Sequence, residues 1–280
     1  MTDSMFSNTS VLLVGCGKMG GALLDGWLDC GLAPERTWVV EPAVALRDAA
    51  ASRGVAVLPD AGDLPADLAP DMVVLAVKPQ SMEAVVAGYR RFVGTGTGAG
   101  SVFLSIAAGK PISWFQSRLG EDAAIVRAMP NTPAAVRRGM TVLCANARVS
   151  EVQRTRCGGL MEAVGAVAWI DDEALMDAVT AVSGSGPAYV FLLVECLAAA
   201  GAAAGLPADL AERLARATVA GSGELLHGAT EPAETLRRNV TSPGGTTAAA
   251  LAELMAADGL PTLMARAVAA ATRRSRELAG

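Results

Sequence analysis

Short runs of valine, isoleucine and leucine recur through the first 170 residues of this chain and then stop. They are "SVLLVG" (10–15), "TWVVE" (37–41), "MVVLAVKP" (72–79), "SVFLSI" (101–106), "AAIVRAMP" (123–130), "MTVLCA" (140–145) and "GAVAWI" (165–170). Most are apolar at consecutive positions, as strands buried on both faces require. Residues 43–53, 80–92 and 150–163 carry helical spacing between them. Strand and helix in repeated alternation predict a doubly wound parallel sheet. From "DDEALMDAV" onward the chain is rich in Ala, Leu, Arg and Glu, broken by "SGSGP" (183–187), "GLP" (205–207), "GATEP" (228–232), "SPGG" (242–245) and "DGLP" (258–261). Gly and Pro at those breaks read as helix punctuation. The expected organisation is an α/β domain over 1–170 and an all-α domain over 171–280.

The first strand runs into "VGCGKMGG", which sets G-x-G-x-x-G at Gly15, Gly17 and Gly20 between a strand and a helix. Gly15 permits the tight turn, Gly17 lets a pyrophosphate approach the backbone, and Gly20 lets the helix lie close to the strand. The free N–H groups and positive dipole end of the helix complete an anion site. The first domain is therefore expected to be Rossmann-like and to bind a dinucleotide. Glu41 closes the second strand, where a carboxylate accepts the adenosine ribose hydroxyls and repels a 2′-phosphate, tilting the choice from NADPH toward NADH. A carboxylate at the start of a helix, ahead of Pro42, would also explain it. Arg47 lies close enough to serve a phosphate if turned inward. Lys78 and Pro79 turn the chain at the carboxyl edge of the sheet, where ligands of such folds sit.

Composition removes other classes of partner. A net charge of −5 and an aromatic share of 4% provide neither an electrostatic footprint nor stacking platforms for nucleic acid. Cys16, Cys30, Cys144, Cys157 and Cys196 are scattered, with no C-x-x-C pair, which suits a reducing cytoplasm rather than a disulfide framework or zinc site. The polar start "MTDSMFSNTS" has no basic segment of a secretory signal. "PAYVFLLVECLAAAGAAAGL" (187–206) is long enough to span a bilayer. With Glu195 inside it and no flanking Lys or Arg, it is expected to be a helix buried in protein or at a subunit interface, and no membrane partner is expected.

The only histidine, His227, falls near the end of a helical segment, where it favours the helix C-terminus. No Ser–His–Asp set or cluster of metal ligands is evident, and no metal is expected. Hydride transfer without a strong protein acid or base suits an iminium, whose nitrogen is already positive and becomes a neutral amine.

The densest signal is "TSPGGTTAAAL" (241–251): four hydroxyls and two glycines around one proline, ahead of an alanine-rich helix. Capping by Ser242 or Thr241 would explain one hydroxyl, not four. Backbone N–H groups of Gly244, Gly245, Thr246 and Thr247 at a helix N-terminus suit a carboxylate.

Taken with "GCGKMG" (15–20), "AVKPQ" (76–80), "SIAAGK" (105–110), "RAMPNTP" (127–133), "DAVTAVSGSGPAYVF" (177–191) and "NVTSPGGTTAAAL" (239–251), the chain resembles the pyrroline-5-carboxylate reductases over nearly its whole length. That resemblance implies reduction of L-1-pyrroline-5-carboxylate to L-proline with NADPH or NADH, and a homodimer through the helical domain, in many members assembled into a decamer. It implies that Thr247 lies by the ring nitrogen, that Gly244 and Gly245 bracket the carboxylate, and that Thr246 shares this turn. It further implies that Asn239 meets cofactor or substrate from the partner subunit and that Ser183, Gly184, Ser185 and Gly186 position the substrate side. On the cofactor it puts Lys18 and Met19 of the glycine loop, Ala76, Val77, Lys78 and Pro79, Ala107 and Ala108, and Asn131 as the polar wall of the nicotinamide side. The chain departs from the pattern after the second strand: "EPAVAL" replaces the Ser, Asn or Arg found in many NADPH-preferring relatives. A β-hydroxyacid dehydrogenase of similar fold would want a catalytic Lys on the following helices, yet residues 177–206 contain no Lys or Arg. A non-catalytic dinucleotide sensor would have no use for the intact "SPGGTT" turn.

Overall fold

A computed structural model describes residues 8–279. The chain forms two compact units, the first running to Gly184 and taking in the segment from Thr272, the second spanning Ser185–Ala271. The boundary falls after the one expected at 170/171. A 3-10 turn at Glu173–Leu175, a short helix at Met176–Val179 and a π-helical turn at Thr180–Gly184 all belong to the first unit. Met176 and Ala181 are wholly buried there, and Ser275 Oγ donates to Asp177 Oδ1 at 2.6 Å.

The first unit is built on strands β1 (Val11–Val14), β2 (Thr37–Val40), β3 (Ala56–Leu58), β4 (Met72–Leu75), β5 (Val102–Ser105), β6 (Ala124–Met129), β7 (Gly139–Ala145) and β8 (Gly165–Trp169). They make one eight-stranded sheet in the order β3-β2-β1-β4-β5-β6-β7-β8. Helices α1 (Lys18–Asp29), α2 (Val44–Ala51), α3 (Met82–Val86), α4 (Ile112–Leu119), α5 (Glu151–Glu162) and α6 (Met176–Val179) cover it. Alternate residues of each central strand feed two cores. Val11, Leu13, Met72 and Val74 pack with Leu23, Leu24 and Trp27 of α1 and Leu160 of α5. Leu12, Val14, Val73 and Leu75 pack with Val86 of α3 and Phe115 of α4. Burial on both faces is why these runs contain no polar alternation.

Two details differ from the sequence expectation. The sheet is not wholly parallel, because β7 runs antiparallel to β6. Residues 130–138 hold only a 3-10 turn at Thr132–Val136, and a parallel return needs a crossover of a dozen residues or more. The short edge strand β3 and helix α4 carried no strong signal: β3 lies between Gly54 and Pro59, and α4 buries only Ile112, Phe115 and Leu119.

The second unit is helical, with α7 (Gly186–Ala203), α8 (Ala208–Gly228), α9 (Ala233–Asn239), α10 (Thr246–Leu254) and the greater part of α11 (Leu260–Ala279). Glycine and alanine let α7 and α8 approach closely: a methyl on Gly201 would lie 3.3 Å from Ala211 Cβ. His227 sits in the last turn of α8, the helix-end position expected of it. The apolar helix α7 buries none of its residues within the chain. Of the two expected settings for it, the interior of the chain is excluded. A helix that is apolar all round and only partly covered by its own chain needs a further partner surface.

Candidate active site

In the sheet order, β1 and β4 lie side by side and parallel, and the order of strands reverses there, β2 and β3 lying to one side and β5 onward to the other; open α/β folds bind ligands at the carboxyl edge of that point. Gly15 leaves β1 there with its N–H donated to Val40 O at 2.8 Å, and Ala76 leaves β4 with its N–H donated to Val14 O at 2.8 Å. Gly15 has φ +88°, and a methyl on it would lie 2.9 Å from Val77 Cγ1 and 3.0 Å from Ala76 O. On Gly20 a methyl would meet Gly15 O at 2.3 Å, so α1 can approach the strand only through a glycine. Among the described residues a methyl on Gly17 would meet nothing within 4 Å beyond its chain neighbours, so their packing gives no reason for glycine there. Gly17 is the N-cap of α1, with no side-chain cap and no acid in the first turn. An uncapped helix start beside open space fits the pyrophosphate of a dinucleotide.

Glu41 is buried, and both carboxylate oxygens are engaged. Oε2 accepts the Cys16 N–H at 2.7 Å and Oε1 accepts the Ala43 N–H at 2.9 Å. The helix-start role is therefore present, together with a bond to the glycine loop that the sequence did not disclose. Each carboxylate oxygen retains one acceptor position for a ribose hydroxyl. Burial, and next the Glu41 charge, push the Cys16 thiol above its ordinary range, so it stays neutral beside the carboxylate. Arg47 is turned to the carbonyls of Pro42 (2.7 Å) and Glu41 (3.2 Å).

The remaining first-unit residues line the same edge. Lys18 and Lys78 are exposed, Met19, Val77 and Pro79 half-buried. Ile106 N–H donates to Leu75 O at 3.2 Å, which sets buried Ala107 and exposed Ala108 beside the end of β4. Asn131 follows β6; its Oδ1 accepts the Met140 N–H at 2.9 Å, and its Nδ2 donates to the Ser183 carbonyl (3.3 Å) and hydroxyl (3.2 Å). Gly184 shares the first unit with Ser183, whereas Ser185 and Gly186 begin the second.

One pair here escaped sequence reasoning. Arg127, buried in β6, donates to Glu173 Oε1 at 2.9 Å, and the same oxygen accepts the Ile112 N–H at 2.9 Å at the start of α4. The signal was a lone arginine within the apolar run "AAIVRAMP".

In the second unit, Gly245 is the N-cap of α10 and has no side-chain cap. The alternative of capping by Ser242 or Thr241 does not hold. Thr241 Oγ1 instead donates backward to Arg237 O at 2.7 Å, while the Gly245 N–H closes the turn onto Ser242 O at 3.0 Å. Gly244 has φ +68°, a conformation that disfavours other residues. Thr246 and Thr247 are the first residues of α10, and Asn239 is exposed at the end of α9.

Comparison with known proteins decides the family. The pyrroline-5-carboxylate reductase from Pseudomonas aeruginosa is 41% identical over 275 residues, covering 98% of both chains. The chain belongs to the pyrroline-5-carboxylate reductase family. The family described as "Pyrroline-5-carboxylate reductase dimerisation" matches residues 173–278, and "NADP oxidoreductase coenzyme F420-dependent" matches 10–113. A pyrroline-5-carboxylate reductase structure from Coxiella burnetii superposes with a TM-score of 0.90 at 34% identity, over 98% of this chain and 100% of that one. The NADP-bound pyrroline carboxylate reductase of Plasmodium falciparum superposes with a TM-score of 0.81 at 28% identity, over 98% of this chain and 99% of that one. Family membership makes the protein an oxidoreductase with a nicotinamide dinucleotide cofactor and a helical oligomerisation region.

Proposed function

We infer that the protein reduces L-1-pyrroline-5-carboxylate to L-proline, the last step of proline synthesis, and prefers NADH. The observation that carries the reaction is the start of α10: a glycine turn without side-chain capping, followed at once by two threonines, in a chain related along its length to pyrroline-5-carboxylate reductases. The Gly15–Gly20 loop holds the cofactor's pyrophosphate, and Ala76–Pro79, Ala107, Ala108 and Asn131 line its course. Bound there, the reduced nicotinamide supplies hydride to the imine carbon. Backbone N–H groups from Gly244 to Thr247 hold the substrate carboxylate, with Asn239 as a further polar contact. Thr247 orients the ring nitrogen by hydrogen bonding and receives the nascent amine. The Ser183–Gly186 segment shapes the substrate side.

Glu41 sets the cofactor preference, because a carboxylate at the end of β2 accepts ribose hydroxyls and repels a 2′-phosphate. The working form is a homodimer through the helical unit, assembled into a decamer. It resides in the cytoplasm, where its free thiols are stable, and it needs neither nucleic acid nor membrane. The test is absorbance at the nicotinamide band after adding pyrroline-5-carboxylate with NADH or NADPH. Absorbance should fall with both, faster with NADH, as proline appears. A flat trace with both cofactors would remove the assignment.

A further inference from the structure

Proline at position 187 leaves a gap one helical turn earlier. In a helix the carbonyl of residue 183 accepts the N–H of residue 187, and Pro187 has none to give. The next N–H, from Ala188, goes to Ser185 O at 3.0 Å. The Ser183 carbonyl is instead taken by Asn131 Nδ2 at 3.3 Å, from a loop 52 residues away in sequence. The turn that presents it, Thr180–Gly184, is π-helical. It lies against the end of β6, from which that loop leaves, since a methyl on Gly184 would come within 2.5 Å of Met129 Cε.

The same Asn131 amide also touches the Ser183 hydroxyl, at 3.2 Å. Which end of the amide faces Ser183 follows from the network: Oδ1 is committed to the Met140 N–H, which only an acceptor can meet, so Nδ2 points at Ser183. An N–H donated to a hydroxyl oxygen occupies an acceptor position, and the hydroxyl hydrogen is then turned away from Asn131. Half-buried at the end of the first unit, Ser183 thereby keeps its O–H free to donate away from Asn131.

We propose that Asn131 is a positioning residue that acts through Ser183, holding the π turn and polarising the Ser183 hydroxyl to donate to a ligand oxygen of carboxylate or carboxamide type. Two groups in the inferred reaction have that chemistry, the substrate's carboxylate and the cofactor's carboxamide. The proposal rests on the imine-reductase assignment for its ligands, and on the Asn131–Ser183 geometry for its mechanism.

The test is a double-mutant cycle on the full-length enzyme with Ser183→Ala and Asn131→Asp. The aspartate keeps the acceptor for Met140 but turns the other end into an acceptor, so the Ser183 hydroxyl must donate inward. Each single variant should lower kcat/KM by about ten- to a hundredfold, the range for one hydrogen bond to a charged or strongly polar acceptor. The double variant should be no worse than the more damaged single one. A loss confined to the KM for the imine identifies the substrate carboxylate as the acceptor. A loss in cofactor affinity, followed by nicotinamide fluorescence without substrate, identifies the carboxamide. If Asn131→Asp does not fold, Asn131→Ser takes its place in the cycle. Losses that multiply in the double variant would show two independent roles and overturn the proposal. So would an unaltered Ser183→Ala enzyme, whatever becomes of the Asn131 variants. A wild-type enzyme with no turnover would sink the reaction assignment instead, and the fluorescence cycle would still read the coupling at the cofactor.

Discussion

The Cys16 N–H donates to Glu41 Oε2 at 2.7 Å, joining the glycine loop after β1 to the end of β2. The carboxylate expected to choose the cofactor therefore also frames the loop expected to bind it. Glu41→Gln separates the two roles, since its amide nitrogen cannot accept a second N–H. Leaving a buried donor without a partner should cost about 1–3 kcal/mol, read as a lower Tm. Loss of the charge should also raise NADPH kcat/KM relative to NADH, by roughly tenfold for each ~1.4 kcal/mol of repulsion removed. An unmoved cofactor ratio with a lowered Tm would leave Glu41 with the framing role alone.

Two glycines of the loop should respond oppositely to alanine. Gly17→Ala adds a methyl that meets, beyond its chain neighbours, no atom of the described residues within 4 Å, and φ is −68°, so thermal stability should be unchanged. Cofactor affinity should fall at least about tenfold, because the methyl occupies the approach to the backbone. Gly20→Ala puts a methyl 2.3 Å from Gly15 O and forces α1 off the strand. A stability loss of about 1–3 kcal/mol should accompany its lost binding. Calorimetry and cofactor titration on the two variants read both quantities.

Thr247→Ala tests the chemistry. With Gly245 as the cap, α10 does not depend on this hydroxyl for its start, and alanine is the better helix former. The Tm should stay put while kcat falls about ten- to a thousandfold, the range for one misplaced polar contact at a reacting centre. Thr247→Val should be worse, with a methyl crowding the ring. Steady-state kinetics matching wild type would move the key contact to another residue.

Helix α7 exposes Val190, Phe191, Leu192, Leu193 and Leu197, each more than 40% accessible in the single chain. If the oligomer covers this surface, Phe191→Asp buries an unpaired charge and should shift sedimentation toward smaller species at micromolar protein. An unaltered sedimentation profile would place the interface on other helices.

Stability should decline at alkaline pH. Burial raises the thiols of Cys16, Cys144 and Cys157 above their ordinary value of 9.0, most strongly at Cys157. A raised folded-state value means that the stability each neutral thiol contributes is complete below pH 9.0 and is lost as pH climbs toward the folded value. The unfolded chain then releases protons that the native one retains, giving a slope of up to about 1.4 kcal/mol per pH unit for each thiol. Denaturant titrations from pH 7 to 10.5 should show this fall, and Cys157→Ala should flatten it by one thiol's share. An unaltered slope in that variant would mean other groups dominate.

Local patterns in the sequence carried the strand runs, the helical second half, the order of Gly15, Gly17 and Gly20, and the hydroxyl-rich turn at 241–247. Each of these depends on neighbours within a few residues: consecutive apolar positions, helical spacing, and the conformational freedom of glycine. The remainder depended on distance in the chain. Only folding seated β7 against β6 rather than elsewhere in the sheet, and between those neighbours the short connection allows the antiparallel direction alone. Two backbone donors, one of them 25 residues away, engaged both oxygens of Glu41. Thr241 capped the helix behind it rather than the one ahead, because Arg237 O was within reach. Pro187 announced an unfilled carbonyl, but only folding brought Asn131 to it. A residue's type states what it can donate or accept, and the tertiary structure decides which partner satisfies it, since burial makes an unpaired group too costly to leave.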